Sequence, residues 1–339
     1  MYSNTRKLIQ RYIEDQTLPG ASYAFINQQE TKQYREGLAA VIPHKEPIIE
    51  NQQYDVASLT KVILTTTVIL QLWESGTVSL EDSVQTYLPG FSADQVTIRH
   101  LLTHTSALNG FIPNRDTLSA SELKAALLRV PVEDSFGIEA KYTDTNMILL
   151  GYIIEVIEKE TLSAVFEKRV IQPLNLRDST FHPADPAQCA PTEKQPDRGV
   201  IRGVVHDPKA LVLGDHCGSA GLFSTLNDVS RFSQMLLQKG QLDGIRILQE
   251  STVDQLSQDW TPNGKLERSL GWDLKVRKKG CYLFHTGFTG TFILLDIKKQ
   301  EAFIFLSNRV HPTSDTPVYL KKRDQLIDTY FSEKETAMN

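Results

Sequence analysis

The feature that most restricts what this chain can fold into is the confinement of its strand-like runs to the two ends. Near the start, Ala21-Ser22-Tyr23-Ala24-Phe25-Ile26 and Lys32-Gln33-Tyr34-Arg35-Glu36-Gly37 flank the polar turn Asn27 to Thr31, the pattern of a hairpin. Far downstream, Leu270 to Val276, Tyr282 to His285, Thr291 to Ile297 and Ala302 to Leu306 read as a meander separated by Gly or charged turns. Between the two blocks, from about residue 59 to 170, the periods are helical, with breaks at Gly76, Pro89-Gly90, Asn109-Gly110, Pro113 and Pro131. Two half-sheets must bury their apolar faces, and the economical way is to join into one sheet. Residues 5–16, with Leu8, Ile9, Tyr12 and Ile13 on one face, and residues 316–331 supply helices to cover it. The expected class is α+β: an antiparallel sheet flanked by N- and C-terminal helices, with a mostly helical inserted region.

At about 150 residues per domain, 339 residues suggest two units. The expected division is a sheet subdomain of residues 1–60 and 218–339 and a mostly helical subdomain of 61–217, with a site at their junction. Thr225, with Asp228 three residues on, is expected to cap a helix running to about Gln238. Residues 173–217 show no sustained period and read as a long irregular connection that edges a site.

Composition narrows the function classes. With 36 basic and 41 acidic residues, net −5, the chain carries no electrostatic footprint for nucleic acid. Cys189, Cys217 and Cys281 are odd in number and in no C-x-x-C spacing, so neither a disulfide framework nor a structural zinc site is expected. The most apolar run, Val62 to Leu70, is interrupted by three threonines and is far shorter than the ~20 residues a membrane span needs. No export signal is read at the start, and a cytoplasmic location is the expectation.

Chemistry enters at Ser58-Leu59-Thr60-Lys61, an S-x-x-K where the strand-like Tyr54-Asp55-Val56-Ala57 turns into the most apolar helix. Residues i and i+3 share a helix face at about 5–6 Å, so Lys61 can reach the Ser58 hydroxyl, and the first helical turn offers unpaired N–H groups to an oxyanion. Burial and the positive end of the helix are expected to push the Lys61 pKa down, as a base requires. A second match, Ser121-Glu122-Leu123-Lys124, lies where Ser119-Ala120-Ser121-Glu122 reads as a capping box, and it is expected to be inert.

Two further elements follow in order, Tyr142-Thr143-Asp144 and His285-Thr286-Gly287, 84 and 143 residues apart in turn. With them the chain resembles the β-lactamase and penicillin-binding-protein superfamily, in the branch of class C β-lactamases, certain D,D-peptidases and related serine esterases, where S-x-x-K, Y-x-N and K-T-G or H-T-G line one cleft. Supporting matches are Ile98-Arg99-His100-Leu101-Leu102-Thr103-His104-Thr105-Ser106, Gly218 to Thr225, and Ser307-Asn308-Arg309-Val310-His311-Pro312. Tyr2-Ser3-Asn4 also spells Y-x-N, but it precedes the serine on a terminus expected to fray.

The resemblance implies a β-lactamase/transpeptidase-like fold and an acyl-enzyme mechanism without cofactor or metal. Ser58 would be the nucleophile, Lys61 and Tyr142 would share the base and acid roles, and the backbone N–H groups of Ser58 and Phe288 would form the oxyanion hole. Asp144, His285, Thr286 and Gly287 would bind substrate, with Gly287 letting it approach the strand edge. Two departures bear on specificity. Asp144 replaces an asparagine and is acceptor-only when ionised; it either hinders anionic substrates or simply caps the helix Thr145 to Glu158, and a carboxylate there would also raise the Lys61 pKa, partly opposing burial. His285 stands where many members keep lysine, and a neutral imidazole attracts a carboxylate less.

The expected activity is therefore serine hydrolysis of a neutral ester, amide or D-amino-acid-containing peptide. The alternatives are a penicillin-binding D,D-carboxypeptidase, a class C-type β-lactamase, or a non-catalytic penicillin-recognising sensor. The expected partner is a small-molecule or peptide substrate, with oligomeric state open. His100 and His104 lack the glutamate of H-E-x-x-H, and with His206-Asp207 and His216-Cys217 they read as structural rather than metal-binding. No serine has glycine at both flanks as an α/β-hydrolase elbow requires.

Overall fold

The computed structural model describes residues 2–278, 280–313 and 315–336. Its centre is a seven-stranded sheet built from both ends of the chain. The strands are β1 (Gly20–Ile26), β2 (Thr31–Ala40), β3 (Glu46–Pro47), β4 (Asp273–Arg277), β5 (Gly280–Gly287), β6 (Thr291–Asp296) and β7 (Glu301–Ser307). In space they run β4-β5-β6-β7-β1-β2-β3, each antiparallel to its neighbour. The join expected from the sequence is the β1–β7 ladder, in register from Ala21 opposite Ser307 to Ile26 opposite Ala302.

Alternation along the strands sorts side chains onto two faces. Tyr23, Phe25, Phe284, Phe292, Phe303 and Phe305 form an aromatic face under the helices Ser3–Glu14 and Thr316–Thr336. Rings meet at 4.8 Å between Phe25 and Phe303 and 5.0 Å between Phe303 and Tyr330, close enough for stacking to add to their burial. The two helices are tied to each other by Glu333, whose carboxylate accepts the Asn4 and Thr5 N–H groups at 2.7 Å. Lys334 is buried on the same face, 2.9 Å from Asp296 and 2.6 Å from Glu301.

The opposite face carries Leu283, Ile293, Leu295 and Ile304, and packs into one continuous core with the helical region. By the same alternation His285 and Gly287 point to this face. The core includes the helices Thr66–Glu74, Asp144–Glu158 and Leu226–Leu237; the last is capped by Thr225, whose hydroxyl accepts the Asp228 N–H.

Two boundaries differ from the sequence reading. The strand expected from Leu270 begins at Asp273, because Gly271 has φ +82° and a Cβ there would fall inside contact distance of the Thr66 hydroxyl. Residues 173–217 are not wholly irregular: a two-residue hairpin pairs Lys194–Gln195 with Gly199–Val200, and Asp207 caps the helix Pro208–Leu213. No helix among the described residues is long and apolar enough to cross a membrane.

Candidate active site

Ser58 stands at the end of a tightly held turn. The short strand Tyr54–Asp55 pairs with Phe223–Ser224, and Ala57 then adopts φ +49°, a left-handed conformation that costs an alanine about 1 kcal/mol or more. The buried Asp55 carboxylate holds that turn by accepting the Ala57 N–H at 2.9 Å and the His206 N–H at 2.8 Å. Burial pushes the Asp55 pKa up, while these two N–H bonds work against the shift. Chain direction reverses in i-to-i+3 bonds from Leu59, Thr60 and Lys61, and a π-helical turn, Lys61–Thr65, leads into the helix Thr66–Glu74.

Lys61 is fully buried, and its Nζ has three acceptors: Ser58 Oγ at 2.6 Å, the Ser219 carbonyl at 2.8 Å and Asp144 Oδ1 at 2.9 Å. An ammonium has three N–H donors and an amine only two, so this site fits the charged form. Burial alone would lower the Lys61 pKa, but Asp144 and then Tyr142 outweigh it and the net shift is upward. The expectation of a depressed lysine is thereby corrected, because the field of an adjacent carboxylate exceeds the desolvation cost.

Asp144 is not the helix cap. Thr143 caps the helix Asp144–Glu158 through the Thr145 N–H, and Asp144 is its first residue. Its carboxylate is divided between two lysines: Oδ1 faces Lys61, and Oδ2 lies 2.7 Å from Nζ of Lys209. Burial would raise its pKa, but the two ammonium groups hold it well below the ordinary carboxylate range. Its asparagine-like neighbour in the helix is Asn146, whose Oδ1 accepts the Ser106 hydroxyl at 2.7 Å and whose Nδ2 lies 3.1 Å from His104 Nδ1.

Tyr142 lies over this cluster, 46% exposed, with Lys61 Nζ 5.2 Å from its ring centre and the His104 ring tilted against it at 31°, centroids 4.7 Å apart. His104 is buried and held neutral by burial and by the nearby Arg268 and Lys61 charges. Its Nδ1 accepts the Thr143 N–H at 3.3 Å, and its carbonyl accepts the Lys141 N–H at 2.9 Å. His104 therefore fixes the segment that presents Tyr142. His100 pairs with Thr97 in a capping box.

The far wall is the end of β5. Thr289 donates to the Asp55 carbonyl at 2.7 Å and Thr291 to the Val56 carbonyl at 3.1 Å, stitching the strand to the turn before Ser58. A Cβ at Gly287 would fall inside contact distance of that Val56 carbonyl and of the Thr291 hydroxyl. The glycine thus lets the two backbones meet, a reason different from the one expected. Arg309 Nε donates to the Phe288 carbonyl at 2.9 Å.

Ser58, Tyr142, Arg268, His285, Gly287 and Phe288 share the wall of one cavity of about 330 Å³, which Thr286 also lines. His285 is buried, with both ring nitrogens unpartnered among the described residues; burial, then Lys61 and Arg268, push its pKa well below the usual imidazole range. Arg268 is also buried. It spends one nitrogen on Asp273, 2.5 Å away, and its Nε and Nη2 have no partner among the described residues.

The geometry thus brings Ser58, Lys61, Tyr142, Asp144, His285, Thr286, Gly287 and Phe288 together. Ser121 is elsewhere, beside the capping box of Ser119 with Glu122. Sequence reading missed Lys209, Arg268 and the Ser219 carbonyl, and it read His104 as structural, without its part in holding the segment that presents Tyr142. Arg268, in the charged run Lys265-Leu266-Glu267-Arg268, and Lys209 carry no signal that sets them apart from solvated side chains. Among the described residues no three His, Cys, Asp or Glu side chains cluster to hold a metal.

Comparison with known proteins is consistent across methods. A family model described as Beta-lactamase matches residues 5–326. A protein of Salmonella paratyphi B named "Putative D-alanyl-D-alanine carboxypeptidase" is 28% identical over 323 residues, covering 82% of this chain and 74% of its own length. A solved class C beta-lactamase superposes with a TM-score of 0.80 at 22% identity, over 98% of this chain and 96% of its own. The beta-lactamase/D-alanine carboxypeptidase of Pseudomonas syringae gives 0.76 at 17% identity, over 97% and 99%.

Proposed function

The chain belongs to the beta-lactamase family of serine hydrolases, and from that premise we propose that it cleaves, through an acyl-enzyme on Ser58, a short peptide or related amide that ends in a carboxylate, of the D-amino-acid-containing kind. The observation that carries this reading is the buried Lys61 ammonium 2.6 Å from Ser58 Oγ, beside a cavity whose wall also includes the guanidinium-bearing Arg268.

The chemistry follows from the charge of Lys61. An ammonium that already spends three donors cannot accept the serine proton, so it stabilises negative charge growing on Ser58 Oγ and Tyr142 carries the proton. As Oγ bonds to the substrate carbonyl carbon, its proton passes to the Tyr142 oxygen while the Tyr142 proton passes to the leaving nitrogen. The C–N bond breaks and an amine departs. Water then attacks the ester by the same relay in reverse, freeing the acid and restoring Ser58. The backbone N–H groups of Ser58 and Phe288 are the donors proposed for the oxyanion, with Arg309 holding the peptide after Phe288 in place. Thr286 and His285 line the side from which substrate enters.

Sequence reading favoured a neutral substrate because His285 replaces a lysine. Arg268 supplies a cation to the same cavity, and a third positive charge at position 285 would be opposed by burial and by Lys61 and Arg268 more than Asp144 would favour it. The name carried by the Salmonella relative agrees with a carboxylate-ended substrate. The same reading takes residues 1–60 with 218–339 and residues 61–217 as two subdomains with the reaction at their junction. Three unpaired thiols support the cytoplasm as its working compartment.

The test is intact-mass spectrometry after a fluorophosphonate or fluorescent penicillin, followed by turnover of D-alanyl peptides, nitrophenyl esters and nitrocefin. An adduct on Ser58, absent in Ser58→Ala, with peptide turnover exceeding the others, is expected. Binding without any adduct would leave a penicillin-recognising sensor and end the hydrolase mechanism.

A further inference from the structure

Asp144 brings a negative charge into direct contact with Lys61, which should compromise a site that relies on that ammonium. The structure contains the answer on the other carboxylate oxygen. Lys209, whose side chain is only 10% exposed, places Nζ 2.7 Å from Asp144 Oδ2. The three charges sum to a single positive one, the same as Lys61 beside an uncharged residue. Lys209 stands in the helix Pro208–Leu213, far from Ser58 in sequence, and it touches neither Ser58 nor the cavity wall.

From this arrangement, and resting on the acyl-enzyme reading above, we infer that Lys209 is a positioning residue for the reaction: it offsets the charge of Asp144, so that the cluster still presents a net positive field to Ser58. The carboxylate fixes two ammoniums and is itself held by both, so removing either member leaves a buried charge uncompensated. Around Lys61 stand Tyr142, Asp144, the neutral His104 and His285, and Arg268. Around Lys209 stand Asp144, Arg115 and Asp207, whose Oδ2 is 3.9 Å away while its Oδ1 caps the helix at the Ala210 N–H.

The deciding comparison is Asp144→Asn against Asp144→Asn with Lys209→Met, read by the rate of Ser58 acylation and by its pH profile. Asp144→Asn alone leaves two facing ammoniums, and Lys61 should lose its proton at lower pH, giving the profile a new alkaline limb. Adding Lys209→Met removes the repulsion: acylation should recover by about tenfold or more, and the limb should move back up. Lys209→Arg, which keeps the charge, should acylate within a few-fold of wild type. A double variant no faster than Asp144→Asn, with an unmoved limb, overturns the inference. If wild-type Ser58 takes no adduct at all, the acyl-enzyme reading has failed instead, and a separate melting curve for each variant shows that the comparison is made between folded proteins.

Discussion

Arg268→Gln gives the sharpest test of substrate class. Two of its nitrogens, Nε and Nη2, are buried without a partner among the described residues, and the residue lines the cavity that holds Ser58. Hydrogen bonds to a charged group contribute about 1.5–3 kcal/mol each, and the third nitrogen already faces Asp273, which spends part of the guanidinium charge. Taking the lower figure twice gives about 3 kcal/mol, or roughly 100-fold in kcat/KM at 1.4 kcal/mol per factor of ten. The assay is amine release from a peptide ending in D-alanyl-D-alanine and from the same peptide with its terminal carboxylate converted to an amide. Wild type should prefer the acid by that factor, and Arg268→Gln should lose the preference while keeping its rate on the amide. An equal loss on both peptides would refute the argument, because Arg268 would then be supporting the wall rather than reading a carboxylate.

Other outcomes follow from the same geometry. His104 and His285 are held neutral by burial, so below about pH 6.5 the unfolded chain binds protons that the native one does not, and stability falls with pH by about 1.4 kcal/mol per unit for each histidine. Unfolding free energies from urea between pH 7.5 and 5.5 should show this slope, and His285→Gln should reduce it by about 1.4 kcal/mol per unit below about pH 6.5, with His100 and His311, whose pKa values burial also lowers, contributing to the rest; an unchanged slope would contradict the assignment. Gly287→Ala forces a methyl against the Val56 carbonyl, so it should cost about 1–3 kcal/mol and abolish Ser58 labelling; normal labelling would mean the strand can shift freely. Lys334→Met leaves Asp296 and Glu301 without their buried cation and should destabilise by about 3–5 kcal/mol in urea, with the Ser58 labelling rate of the folded fraction unaltered.

What could be read from the sequence was whatever depends on local period. Phe25 and Ile26, or Phe303 and Ile304, alternate between faces because a strand's side chains do, and that alternation exposed the sheet before any contact was known. The serine-lysine spacing was legible for the same reason, since one helical turn fixes it. The charge of Lys61 was not. From the sequence, Asp144, 83 residues downstream, opposes burial only in part; that it prevails depends on direct contact with Lys61, and its second partner Lys209 leaves no local trace. Arg268 and the part His104 plays escaped for a related reason: a charged or imidazole side chain looks alike whether it faces water or a cavity. The start of β4 was misplaced because only the approach of Thr66 reveals why Gly271 must break the ladder.

The ladder between β1 and β7 has a consequence for synthesis. A chain still on the ribosome and stopped before β5 already contains Ser58, Lys61, Tyr142 and Asp144, yet lacks Thr289 and Thr291, which clamp the nucleophile's turn. Early strand β1 must wait, one edge unpaired, until the last strand emerges nearly three hundred residues later. Reactivity of the serine should therefore report closure of the sheet: nascent chains should resist labelling until the hairpin of β6 and β7 has docked, and the interval before docking is when the molecule is most exposed to aggregation through that open edge.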